Sequence, residues 1–136
     1  MAAGLDRIDD YLHRFGESVG AEFDRLDDEG YTDIRHGELA IGINVIAESD
    51  VLLLLVHMGE PPDGAGVDYY RGLLELNFLS TGDCAFAIDR ASGAVYLRAL
   101  RRLEGLDYEA FESLLQNTAA IAEDMAARGR AQEKAN

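Results

Sequence analysis

The chain is short of most features that would commit it to a particular chemistry. It has one cysteine, Cys84, no tryptophan, and two prolines in 136 residues. A single thiol cannot close an internal disulfide, so a packed core must hold the fold, as in a reducing compartment. Long apolar runs are missing as well. The longest unbroken one is Val51–Val56, far below the roughly 20 residues a membrane-spanning helix needs. The stretch Leu5–Phe15 is interrupted by Asp6, Arg7, Asp9, Asp10, His13 and Arg14. That is not the pattern of an export leader, so a cytoplasmic location is expected, with no insertion into membranes.

Positive charge is scarce too. Twelve Lys and Arg face 26 Asp and Glu, for a net charge of −14. Such a field repels phosphate backbones, so no nucleic-acid partner is expected. It also keeps in solution a protein that exposes apolar grooves.

Catalytic patterns are equally sparse. The sequence has no Gly-x4-Gly-Lys-Ser/Thr loop, no dinucleotide-binding glycine pattern and no His-Glu-x-x-His. His13, His36 and His57 are separated by whole elements, and no spacing brings them together. Cys84 has no base at a fixed spacing and reads as a small core residue. Asp63–Asp68 lacks the alternating ligands and closing glutamate of a calcium loop. Arg98, Arg101 and Arg102 form the one basic cluster, expected to make ion pairs on a sheet. No enzyme activity, metal or cofactor is predicted.

What the chain does have is periodicity. Hydrophobic residues make up 48% of it, enough for one core and one domain. The domain is expected over residues 1–128, with a polar tail over 129–136. Leu5, Ile8, Leu12, Phe15, Val19, Phe23 and Leu26 step by three or four, predicting an amphipathic helix over 5–28. The period then shifts to two. Strands are predicted at Tyr31–Arg35, at Glu38–Ala47 and at Val51–Met58. In the second, Leu39, Ile41, Ile43 and Val45 share one face, and Ala40, Gly42, Asn44 and Ile46 the other. The third is apolar on both faces and is expected to be central and covered twice. Both prolines and three glycines make 59–66 a loop.

A second helix is predicted over 67–80, with an unusually wide apolar arc: Tyr69, Tyr70, Leu73, Leu74, Leu76, Phe78 and Leu79. A helix apolar over more than half its girth needs two neighbours. The sheet supplies one. The second is either another copy of the same helix, making a homodimer, or a long loop laid over it. Two more strands, Asp83–Asp89 and Ala94–Arg101, flank a five-residue hairpin loop ending near Gly93. A last helix is predicted over Leu106–Ala127, capped by Asp107. Its inner stripe is Phe111, Leu114, Leu115, Thr118, Ile121, Ala122 and Met125. The fold class is therefore α+β in the order α-β-β-β-α-β-β-α.

In the middle of the chain, Leu73-Leu74-Glu75-Leu76-Asn77-Phe78-Leu79 is followed by Gly82 and a strand ending Ile88-Asp89. The hairpin Arg90–Gly93, the strand Ala94-Val95-Tyr96-Leu97-Arg98 and the helix start Leu106-Asp107 come next. In order and spacing these segments resemble the class I type III secretion chaperones, the Tir chaperone-like family. The resemblance runs from the first helix to about Arg128 and is weakest over 31–47. It implies a twisted antiparallel sheet packed with helices, a homodimer, and a client: the non-globular N-terminal segment of a secreted effector, kept soluble and export-competent without ATP. By position it implies dimer contacts at Leu73, Leu76, Asn77 and Leu79 and at the strand Ala85, Phe86 and Ala87. Asn77 would bond either across the two-fold axis or from helix to sheet within one subunit. Client contacts would come from Leu5, Ile8, Leu12 and Phe15 and from Leu39, Ile41, Ile43 and Val45 on a face left open. The alternative expectation is a cytoplasmic binding or regulatory module of the same fold, unconnected with secretion.

Overall fold

The computed structural model describes residues 2–79 and 81–135. Helix α1 (Ala2–Val19) leads into β1 (Tyr31–His36), β2 (Leu39–Ile46) and β3 (Val51–Gly59). Helix α2 (Val67–Leu79) then precedes β4 (Cys84–Ile88), β5 (Val95–Arg102) and α3 (Tyr108–Ala135). A single 3-10 turn, Ala47–Ser49, links β2 to β3. The five strands form one antiparallel sheet in the order β1-β2-β3-β5-β4. The α+β order and the central place of β3 agree with the sequence.

Period two decides the layers. One face of the sheet carries Thr32, Ile34, Ile41, Ile43, Val45, Leu52, Leu54, Val56, Phe86, Val95, Leu97 and Ala99, all buried. α1 and α3 lie against this inner face and against each other. Ile8 and Leu12 enter from α1; Phe111, Leu114, Leu115 and Ala122 enter from α3. Polar contacts also tie α1 to the segment between β5 and α3 and to the start of α3. Tyr11 donates to the Leu106 carbonyl at 2.9 Å, Arg7 donates to the Leu103 carbonyl, and the Arg14 guanidinium sits 4.1 Å over the Tyr108 ring. Asp107 caps α3 as expected, its Oδ1 accepting from the Ala110 N–H at 2.8 Å.

Three expectations need correction. The first helix ends at Val19 rather than 28, because Gly20 turns left-handed (φ 72°) and Ala21 N–H closes onto the Gly16 carbonyl. Residues 21–27 then form no regular element, so the helical spacing of Phe23 does not reflect a helix. Phe23 still reaches Phe15 and stacks on it at 5.9 Å. Most of the stretch expected as a polar tail, 129–136, is helical. α3 continues through Ala135, helped by the i,i+4 pair Asp124–Arg128 at 3.1 Å. Finally, β3 is covered by helices on one face only.

Candidate functional site

α2 sits beside β4, at the edge of the sheet. Its inward residues are Leu73, which is buried, and Leu76, which packs on the core. Its opposite side is a stripe spaced 3, 4 and 4: Val67, Tyr70, Leu74 and Phe78. Val67 is 81% exposed, Leu74 69% and Phe78 83%. Three large apolar side chains in that state cost hydration free energy. Burying each is worth about 1.5–3 kcal/mol, and side by side they form an exposed apolar strip of the kind that marks contact surfaces in other proteins.

The residues expected at the dimer contact therefore divide. Leu73 and Phe86 are core side chains. Leu76 lines a small cavity of about 180 Å³ with Phe86, Ile121 and Met125. Leu79 closes α2, and its side chain lies outside the described residues. Ala85 and Ala87 are half-buried on the opposite face of β4. Asn77 makes the bond within one subunit. Its Oδ1 accepts from the Phe86 N–H at 2.8 Å, and its Nδ2 donates to the Phe86 carbonyl at 3.2 Å. A strand edge presents free N–H and C=O groups, and this amide occupies one pair of them. The wide arc legible in the sequence includes Tyr70, Leu74 and Phe78 but not Val67, and the contacts expected at Leu73 and Leu76 fall on the inward side rather than on this outward stripe.

The residues expected to form open client grooves also divide. Leu39 is half-buried, but Ile41, Ile43 and Val45 lie in the core beneath the helices, as do Ile8 and Leu12. Their apolar character is used up in folding; Leu12, at 2% exposure, reaches the floor of one cleft with hardly any surface. Leu5 and Phe15 remain half-buried at its margin. What α1 leaves open is a cleft of about 600 Å³ against residues 21–25. Its floor includes Leu12 and Phe23, and Asp6, Asp10, Glu22 and Asp24 stand among its walls.

Among the described residues, no group of three or more His, Cys, Asp or Glu is placed to hold a metal. His13 pairs with Glu17 at 2.8 Å and His36 with Glu123 at 2.7 Å, and the His57 ring meets the Tyr96 ring edge-on. Cys84 is buried, with Sγ 3.4 Å from Thr118 Oγ1. Burial pushes its thiol pKa up, the Thr118 bond opposes this, and neighbouring Asp83 adds to the rise. A thiol held protonated is a poor nucleophile. Of the three arginines on β5, Arg101 pairs with Asp83 at 3.1 Å and Arg102 with Glu104 at 3.9 Å. No helix among the described residues is long and apolar enough to cross a membrane.

The family model for the Tir chaperone protein (CesT) family matches residues 10–126. The chain belongs to this family. Solved structures agree with that placement of the Tir chaperone-family protein. The ExsC–ExsE complex aligns at a TM-score of 0.74 and 26% identity, covering 90% of this chain and 93% of that one. The HopA1–SchA chaperone–effector complex aligns at 0.74 and 17%, covering 93% and 98%. The ExoU–SpcU complex from the type III secretion system of Pseudomonas aeruginosa aligns at 0.68 and 22%, covering 88% and 95%. No curated protein matches the chain by sequence. Over nearly its whole length the Tir chaperone-family protein thus has the fold found in chaperone–effector complexes, and it is a type III secretion chaperone-like protein.

Proposed function

We propose that this chain is a cytoplasmic homodimeric chaperone that binds the non-globular N-terminal segment of one effector and holds it export-competent without ATP. The observation that carries this reading is the family match across residues 10–126. The open apolar surfaces say how such a protein would act.

Two copies join through α2, whose stripe of Val67, Tyr70, Leu74 and Phe78 has no partner within the subunit. The client then needs other surfaces. An extended segment can add to a free strand edge. At β4 the Phe86 N–H and C=O are already bonded to Asn77. At β1, among the described residues, only the Tyr31 end is occupied, its N–H donating to Asp27 Oδ1 at 2.9 Å and its carbonyl accepting from Asp27 N–H at 2.8 Å. The run from Asp33 to His36 is the edge on which a client strand pairs. Leu5, beside Gly30 just before β1, and Phe15 are half-buried on α1 and offer apolar contacts. Ordering an unfolded segment is costly, so a long footprint supplies the affinity.

The test is affinity capture with the tagged chain from its source bacterium, followed by proteolysis of what is captured. The expected result is one dominant protein, protected only in its N-terminal segment and retained without nucleotide. A partner held through a folded domain would reject the reading. In parallel, light scattering should give two copies for the unaltered chain, and Leu74→Asp with Phe78→Asp should give one copy with an unchanged circular dichroism spectrum.

A further inference from the structure

The outer face of the sheet is the largest surface not absorbed by the helices, and its chemistry is unlike that of the rest of the chain. Register places Tyr31, Asn44, Leu53 and Leu100 in one row across four strands, and Asp33, Gly42, Leu55, Arg98 and Ala85 in the next. Ile46, Val51 and Arg102 follow at one end. Leu100 is 47% exposed, Ile46 is exposed, and Val51, Leu53 and Leu55 are half-buried only by one another and by their flanks. The Tyr31 ring lies over Gly42, where a Cβ would meet it at 3.3 Å. Small residues on β2 beside leucines on β3, and alanines on β4 beside Arg98 and Tyr96 on β5, give the face relief rather than a flat surface.

The charge on this face runs against the chain. The molecule carries a net −14, yet the outer positions of the strands hold Arg35, Arg98 and Arg102 against one carboxylate, Asp33, with Glu104 just beyond β5 pairing with Arg102 at 3.9 Å. Arg98 stands in the middle, opposite Leu55 on one side and Ala85 on the other. It is half-buried and has no ion-pair partner within 4.0 Å among the described residues.

Two requirements follow. Leu53, Leu55, Leu100 and Ile46 favour a covering of apolar side chains. Yet a purely apolar cover would take the Arg98 guanidinium out of water with nothing to pair it, which is strongly unfavourable. A second copy laid two-fold on this face would bring arginine toward arginine. We propose that the outer face takes a client segment combining apolar side chains with carboxylates, one carboxylate meeting Arg98 and apolar groups seating on Leu53, Leu55 and Leu100. The proposal rests on the client-binding reading and names the chemistry of the client segment.

The test uses the full chain and two labelled synthetic peptides that share one apolar frame, with Glu at every intervening position in the first and Lys in the second. The net charge of the chain alone would favour the Lys peptide; the outer face favours the Glu peptide. The expected result is tighter binding of the Glu peptide, weakened at least tenfold by Arg98→Gln, with the preference reversed by Arg98→Glu. Circular dichroism checks that both variants fold, and Arg98→Gln, which keeps the stem and a polar head, serves if Arg98→Glu does not. Tighter binding of the Lys peptide to the unaltered chain, or an affinity untouched by Arg98→Gln, overturns the proposal. So does a change in particle mass on Arg98→Glu, which would make the face a contact between copies. If an effector is captured and the Glu peptide fails to compete, the outer face is wrong and the chaperone reading stands. If the Glu peptide binds through Arg98 and no effector is captured, the face stands and the secretion reading falls.

Discussion

Leu52, Leu54 and Val56 on β3 are closed from solvent beneath α1 and α3, whereas Val51, Leu53 and Leu55 on the same strand point away from both helices and stay half-buried. The residue types are the same on the two faces. What differs is supply: the chain has two long helices with a single apolar stripe each, and both lie on one side. Hydrophobic character therefore tells which residues need covering but not whether the chain itself provides the cover. On the inner face it does, and the result is a core. On the outer face and on α2 it does not, and the result is exposed apolar surface.

The largest effect that separates the two faces comes from putting one substitution on each. Ile43 is fully buried in the core, and Ile43→Asp places a carboxylate there with no partner. Such changes belong to the exceptional class above about 4–5 kcal/mol, comparable with the whole stability of a small domain, about 5–15 kcal/mol. The variant is expected to be unfolded or aggregated by circular dichroism. Ile46→Asp puts the same group on the exposed outer face of the same strand, at a cost within about 1 kcal/mol in urea unfolding. Similar destabilisation by both would mean that the outer face is covered in the free protein.

The middle-sized effect concerns the edge. Asn77→Ala removes both bonds to Phe86 and leaves its N–H and carbonyl to find water, at a cost of about 1–3 kcal/mol if they stay buried. Urea unfolding measures this. The substitution also opens β4 as a second free edge, so the variant is expected to aggregate more readily than the unaltered chain. A loss below a few tenths of a kcal/mol with unchanged solubility would show that the amide does not guard that edge.

Much of the fold was legible in the sequence, and the reasons are local. The alternation in Leu39–Ile46, the double-sided run at Val51–Val56, the loop at 59–66 and the Asp107 cap are each written within a few residues. The losses are where a pattern continues without its structure or where the answer lies in another element. Phe23 and Leu26 prolong the helical spacing of α1, but Gly20 has already turned the chain left-handed. Polar residues after Arg128 read as a tail, although helical hydrogen bonds continue through them. Ile41, Ile43 and Val45 were correctly grouped on one face of β2 and wrongly taken for the open one, because a period of two separates faces without saying which the helices will choose. The wide arc of α2 announced an interface. Only the position of β4 shows that Leu73 and Asn77 turn inward while Leu74 and Phe78 turn out.

The smallest expected effect is the most exacting test of the difference between the faces. Leu100 stands on β5 across from Leu53, on the outer face, 47% exposed. Leu100→Thr exchanges a γ-branched for a β-branched residue, which suits a strand, and removes apolar surface that folding has only partly withdrawn from water. If the face is open in the free protein, little transfer energy is lost, and the unfolding midpoint should move by no more than about 0.5 kcal/mol. The same substitution should weaken an acidic–apolar peptide, because the methyl groups it removes are the ones the peptide would cover. A leucine that contributes little to folding and much to binding marks an interface. Were stability to fall by the 2–5 kcal/mol or so typical of truncating a core leucine, Leu100 would already be packed against something, and the outer face would have to be counted with the core.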